Sequence, residues 1–503
     1  MQRILLIIWL ILAFTLKGNT QIPLSKYYSQ WIFGFDYFPD QGWGLNLLDF
    51  NDGLVSISHY DLGIDYEIGS EGSLLCDSNG QLALVTNGCH ISDRDLHIIS
   101  GGDTIDGLDW AYENFCSLDL TLPSFQNTIM FPCREGSLLV HKNILRQNGG
   151  PKSTNIKRVI IDETSIGLQV VSKEIIFDSI LIFGKIKATL HNNSDDIWVL
   201  ANPFNSNEFV PFLVNNDTII RGPSQKIGPI LEDFTYGRAR QIAFSSGNNM
   251  MAINSIEGLL VYDFDDLTGT LSNYRCYKYP TLTSDGESRV ATGLCFSPSD
   301  KYVYVSNAEN VFQIDLSSDY EAPVIYDYGF QWTIGPNGWP IGIGNMMTGP
   351  DCRIYLAPGT STNFIHVIHF PDEQGEAAGL ENYIPLPMRV NHHLPLIPNI
   401  FSSCDNTIAF DINTSVLEPV DFENPLVLYP NPATERTTLR VDPSLEGFVE
   451  IFDVLGNSVL KVEKSKGERD ISIDLNSIDA GGYIIHFISQ GKRYTSKLIK
   501  TNQ

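Results

Sequence analysis

The sequence contains no C-x-x-C pair, no G-x-S-x-G and no H-E-x-x-H. The first absence removes the usual zinc-ribbon and thioredoxin signatures, and the other two remove the marks of the easily recognised hydrolases. Basic residues are scarce: 33 Lys and Arg face 59 Asp and Glu, a formal net charge of −26. Such a field repels phosphate backbones and anionic headgroups, so the expected partners include no nucleic acid and no simple membrane surface. Long apolar runs are also missing. The stretch from Ile4 to Leu16 spans 13 residues, short of the ~20 needed to cross a bilayer, and the mature chain is expected to carry no transmembrane segment.

That short run has its own meaning. It follows Arg3 and leads into Gly18-Asn19-Thr20, the pattern of a secretory signal peptide over residues 1–20 with cleavage between Thr20 and Gln21. A lipoprotein would need a cysteine at the cleavage point, and the first cysteine is Cys76. Soluble release from the signal is therefore expected.

What the sequence does have is β-type patterning. With 503 residues, 43% of them hydrophobic and 18% charged, it is a globular chain of more than one domain. Short Val, Ile, Leu, Tyr and Phe runs are cut by Gly, Asn, Asp and Pro, and no long stretch keeps a helical period. Aligning the turns reveals six strand–turn–strand units, "SLLCDSNGQLALVT", "IMFPCREGSLLVHK", "KATLHNNSDDIWVLAN", "IAFSSGNNMMAINS", "LCFSPSDKYVYVSN" and "MMTGPDCRIYLAPG". Their turns centre near Gly80, Glu135, Ser194, Asn248, Ser299 and Asp351, a spacing of about 50 to 60 residues that suits one four-stranded propeller blade. The leftover strands "WIFGFDYF" and "GLNLLDF" at the start, with "NYIPLPMRV" and "LPLIPNIF" at the end, would make a composite closing blade. The expected fold is all-β: a β-propeller of six to seven blades, seven favoured, over residues 21–410.

All eight cysteines lie between Cys76 and Cys404. An exported chain with an even count can form disulfides. The local candidates are Cys76 with Cys89 and Cys116 with Cys133, against the alternative that several are small buried apolar residues.

The ordered series "EGSLLCDSNGQLALVTNG", "DDIWVLANPFNSNEFVPFLV", "VYDFDDLTGTLSN", "CFSPSDKYVYVSN" and "GPDCRIYLAP" resembles a family of exported Bacteroidetes propeller proteins over roughly residues 30 to 405. "SPSDKYVYVS" on its own is shared by lactonase-like and quinoprotein-like (WD/YVTN-type) propellers. The chain departs from the pattern where Cys352 takes the place of a turn glycine.

Composition changes sharply after the polar connector 411–425. From Leu426 to Gln503 ten basic residues balance ten acidic ones and no cysteine occurs, so the whole charge of −26 belongs to the chain before it. In "LYPNPATERTTLRV" two prolines remove backbone donors and preset an extended lead-in rather than a central strand. Six or seven short strands follow, enough for a small Ig-like β-sandwich over residues 426–503. This segment closely resembles the type A C-terminal sorting domain of the type IX (Por) secretion system. The matching positions are Tyr429, Pro430, Asn431 and Pro432, then Gly456 in "IFDVLGNSVL", Gly482 and Tyr483 in "GGYIIHF", and Lys497 in "GKRYTSKLIK". The resemblance implies the type IX machinery as a partner, passage through the periplasm and across the outer membrane, and release or surface attachment.

Signs of chemistry are few. His366 and His369 in "HVIH" fall on opposite faces of a strand, and adjacent His392 and His393 do the same, so neither pair makes a metal site. The Gly344 to Gly349 spacing matches a phosphate loop, but Pro350-Asp351 stands where Lys-Ser/Thr would be needed. In "DFDDLTG", Asp263 and Asp265 share a strand face with Asp266 and Gly269 in the turn, a weak calcium candidate whose spacing does not fit the twelve-residue calcium loop. No cofactor and no catalytic residue is expected. The favoured reading is a secreted or surface-displayed binding or structural protein for a protein or glycan partner; the alternative is an exported lactonase-like hydrolase working in the propeller channel.

Overall fold

Alternation of aliphatic and aromatic residues with polar turns folds the chain into antiparallel hairpins throughout. The structure is a computed structural model and describes residues 24–501 apart from short internal stretches, the longest being 36–43, 232–240, 283–292 and 411–426. Both ends of the proposed signal cleavage site, Thr20 and Gln21, lie outside the described residues. The chain divides into two units, Met1–Val416 and Leu417–Gln503.

The first unit is a β-propeller. Among the described residues seven sheets of three to five strands lie along the chain, within residues 30–68, 73–93, 128–181, 188–231, 242–277, 294–327 and 343–390, with a two-stranded ribbon of Thr333–Ile334 and Pro340–Ile341 between the last two; the seven are blades 1 to 7. All six hairpins expected from the sequence are present, in blades 2 to 7. The first strand of blade 5 lies beside that of blade 6, and that of blade 6 beside that of blade 7, as do those of blades 2 and 3. Each blade thus buries its faces on its neighbours, which is how radial packing protects sheet edges. Trp31 of blade 1 meets Tyr355 of blade 7 and Phe50 edge-on at 5.3 and 5.2 Å, filling one junction with rings.

The hairpin turns explain the departure at Cys352. Left-handed backbone recurs at Gly80, Gly136, Asn248, Asp300 and Cys352, with φ of 82, 86, 53, 60 and 66°. Glycine, Asn and Asp adopt this conformation most readily. Cys352 holds it while bonded to Cys404.

The composite closing blade is not what forms. Blade 1 assembles its own four strands, Gln30–Phe35, Leu45–Asp49, Ser56–His59 and Glu67–Ile68. The strand Leu380–Val390, which contains "NYIPLPMRV", is instead the fourth strand of blade 7, paired with Thr362–Ile368. Pro395 and Pro398 deprive the next segment, "LPLIPNIF", of ladder donors, and among its described residues it makes one strand-type bridge, Ser73–Leu396.

The second unit is a seven-strand sandwich. One sheet orders Val427–Tyr429, Arg436–Arg440 and Asp470–Asp474; the other orders Ser458–Lys464, Gly447–Phe452, Gly481–Ser489 and Lys492–Lys500. Leu439, Val449, Ile473, Ile485, Phe487 and Leu498 form its core between them. Among the described residues Val427–Tyr429 pairs on one side only, with Arg436–Arg440, an edge position that suits a strand bounded by prolines.

Candidate functional site

The first strands of blades 3 to 7 converge on the propeller axis, where they bound a cavity of about 40 Å³. That is space for roughly three waters. Its walls are mostly apolar, among them Ile129, Ile186, Leu294, Met346 and Leu396. The two glutamines in the wall have both ends of their amides engaged. Gln126 donates to Ile242 O (2.9 Å) and accepts from Ile242 N (2.8 Å). Gln241 donates to Met346 O (2.6 Å) and accepts from Leu294 N (3.0 Å) and Met346 N (2.9 Å). Cys295 also lines the cavity, but burial pushes its thiol up to about 12, opposed by its contact with Thr348, so it stays protonated and a poor nucleophile.

Other buried polar groups repeat this pattern of holding backbone. The Glu71 carboxylate ahead of blade 2 accepts from Asn127 N, Thr128 N and Thr128 Oγ1 of blade 3, at 2.9, 2.9 and 2.8 Å. Asn254 of blade 5 donates to Gly293 O and Ser306 O of blade 6, both at 3.2 Å. Asn87, Asn202, Asn254 and Asn307 all stand at the ends of second strands, and all are buried. Sequence reasoning overlooked them, although an Asn follows "LVT", "VLA", "MAI" and "YVYVS" in four of the aligned units.

Most of the residues singled out from the sequence fall among those described. Asp263 does not present a free carboxylate: Arg275 Nη2 and Asn273 Nδ2 bond its two oxygens at 2.6 and 2.7 Å. Asp265 caps its own turn, accepting from Leu267 N (3.0 Å) and Thr268 Oγ1 (2.8 Å), bonds that hold its carboxyl below the usual range. Gly269, at φ 70°, leaves room for the Trp198 ring, which would lie 2.6 Å from any Cβ. The acidic motif is therefore a hairpin shaped to fit blade 4. The Gly344 to Gly349 stretch is the strand Ile343–Thr348 and its turn, and the following Asp351 is buried. His366 is buried with Nδ1 3.0 Å from Asn382 Oδ1, and burial pushes it down to about 4, while His369 pairs with Glu381 at 2.7 Å. His392 lies outside the described residues and His393 is half-buried.

The disulfides differ from the expected local pairs. Cys89 bonds Cys116, and Cys352 bonds Cys404. Neither Cys76 nor Cys133 is disulfide-bonded. The strand Ser73–Cys76 buries Cys76 against Gln30, whose N lies 3.4 Å from its sulfur. Cys89, past the next strand, is met by Cys116 from the segment that follows the short helix Trp110–Asn114. Spacing along the chain gave no sign of that helix.

In the sandwich, Asn431 ties the lead-in to the last strand: Nδ2 donates to Lys497 O (2.7 Å) and Oδ1 accepts from Ile499 N (2.9 Å). Tyr429 lies in the edge strand, Tyr483 Oη donates to Asp479 O (2.7 Å), and Gly482 pairs with Ile499. Pro430, Pro432 and Gly456 lie outside the described residues.

Comparison with known proteins agrees with this division. Residues 427–501 match the secretion system C-terminal sorting domain. The sandwich is thus a type IX sorting domain, and it marks the chain for export to the cell surface or the medium. No curated protein matches the chain. Among solved structures, a candidate 6-phosphogluconolactonase of Bacteroides uniformis is 14% identical, with 73% of this chain and 98% of that one covered and a TM-score of 0.36. The periplasmic gluconolactonase of Pseudomonas aeruginosa is 12% identical over 70% and 88%, TM-score 0.34. The Dos1 propeller is 10% identical over 64% and 74%, TM-score 0.34. Likeness this distant carries no argument about activity. Among the described residues no helix is long and apolar enough to cross a membrane.

Proposed function

We propose that the chain is an exported propeller that binds a protein or glycan partner on its outer surfaces, and that its axis serves structure rather than turnover. The observation that carries this reading is the axis itself, where about 40 Å³ is walled by aliphatic side chains and by two glutamines already bonded to backbone. A sugar-sized substrate needs several hundred Å³ with convergent polar groups. The elaborated part of the propeller lies elsewhere, where the Cys89–Cys116 bond and Ala111 of the short helix pack on Ile144 of blade 3.

The test is a glycan and small-substrate screen on the purified secreted protein. Saturable binding without turnover is the expected result; hydrolysis of sugar lactones, lost on filling the axial cavity with Ala188→Leu, would replace this reading with the hydrolase one. Export is tested separately by ending the chain at residue 425. The truncated protein is expected to fold and to accumulate in the periplasm, and its arrival outside at the full-length level would refute the sorting role.

A further inference from the structure

The propeller ends in a segment that no blade includes. Residues 394–410 follow the last strand of blade 7 and precede the connector to the sorting domain. At its start, the Asn345 side chain grips Leu394 from both sides, donating to O (2.9 Å) and accepting from N (2.8 Å). Leu396 N then donates to Gly72 O (2.7 Å), and Ser73 Oγ donates to Leu396 O (2.7 Å). The segment therefore joins blade 7 to blade 2 across the place where chain start and chain end meet.

Further along, the segment reaches the hairpin rim. Asp405 N donates to Pro350 O (2.8 Å), and Ala409 exchanges bonds with Gly53 O and Val55 N of blade 1, both at 2.9 Å. Arg353 Nη1 donates to Ile408 O (3.0 Å), with its guanidinium 5.3 Å above the Phe410 ring. The same nitrogen pairs with the buried Asp351 (2.9 Å), which also accepts from Tyr355 Oη (2.7 Å). Between the two stretches stands the one covalent tie, Cys352–Cys404.

We propose that the stretches 394–398 and 404–410 act as a strap that closes the ring, and that the Cys352–Cys404 bond anchors it so that tension arriving through the exported tail stops at Cys404. Without the bond, a pull beyond Phe410 would strip first the bonds of Ala409 and Asp405 and then those of Leu396 and Leu394, releasing the tie that the segment makes between blade 7 and blade 2. With it, only residues 405–410 can come away, and the load passes through Cys352 into the hairpin of blade 7. The direction of pull rests on the sorting reading above; the anchoring does not.

Hydrogen exchange on the purified full chain tests the anchoring by itself. The comparison is made in a Cys89→Ser, Cys116→Ser background, in which a dithiol reduces only the Cys352–Cys404 bond of protein already folded, leaving two thiols and a cyclic disulfide of the reagent. In the oxidised protein the Leu396 amide is expected to exchange at least tenfold more slowly than that of Ala409. After reduction that gap closes, while Ile242 and Leu294 in blades 5 and 6 keep their rates. An unchanged rate at Leu396, or an equal rise in every blade, would overturn the proposal. Failure of the truncation experiment would instead leave the anchor standing and remove the tail as the source of tension.

Discussion

The propeller and the sorting sandwich differ in how far along the chain their ties reach. In the propeller, side chains bond backbone far along the sequence: Gln126 reaches Ile242, 116 residues on, and Asn46 reaches Met388, 342 residues on. In the sandwich, hairpins between successive strands do most of the work, as in Gly447–Phe452 with Ser458–Lys464 and Gly481–Ser489 with Lys492–Lys500. A ring must join its ends, so its stability rests on contacts between distant residues. A small sandwich that acts as an address is served by a core contained within its own short length. The charge follows the same division, since the propeller side of the chain carries the entire excess of acid.

The sharpest way to break the comparison is to damage the ring where its ends meet. Trp31→Ala removes a wholly buried ring between blades 1 and 7. It is expected to cost the propeller about 4 kcal/mol and to leave the sandwich transition in place, as followed by calorimetry. Loss of both transitions together would show that the two units do not unfold independently.

A smaller effect should follow from acid. His366 is lowered to about 4 in the folded blade from 6.5. Between those values the unfolded chain binds the proton that the folded one refuses. Stability therefore falls as pH drops from 6.5 and levels out below about 4, a loss of about 3 kcal/mol from this group. Denaturant melts of wild type and His366→Gln across that range check it: the variant should show a shallower slope in the propeller transition alone.

The smallest effect belongs to the sandwich. Asn431→Ala removes both bonds from the lead-in to the last strand at an exposed site, and the expected cost is about 1 kcal/mol. The change should appear in the sandwich transition and leave that of the propeller unmoved.

The hairpins were legible because their pattern is local: "LCFSPSDKYVYVSN" contains both strands and the turn that reverses them. The same holds for the position of Cys352, a turn glycine's place in the repeat, whose φ is 66°. At Asp263 the letters alone left two readings, because Asp in a hairpin turn and Asp on a metal look the same in sequence. Only the neighbouring Arg275 and Trp198 distinguish them.

The sequence by itself determined the all-β class, the hairpin units, the change of domain near Leu426 and the sorting address, because each is written in residues close together in the chain. Tertiary structure alone decided the pairing of Cys89 with Cys116 and Cys352 with Cys404, the closing of the axis by Gln126 and Gln241, and the bonds that residues 394–396 and 405–410 make to other blades. Those depend on which distant segments the ring brings within a few ångströms, and local spacing carries no record of that distance.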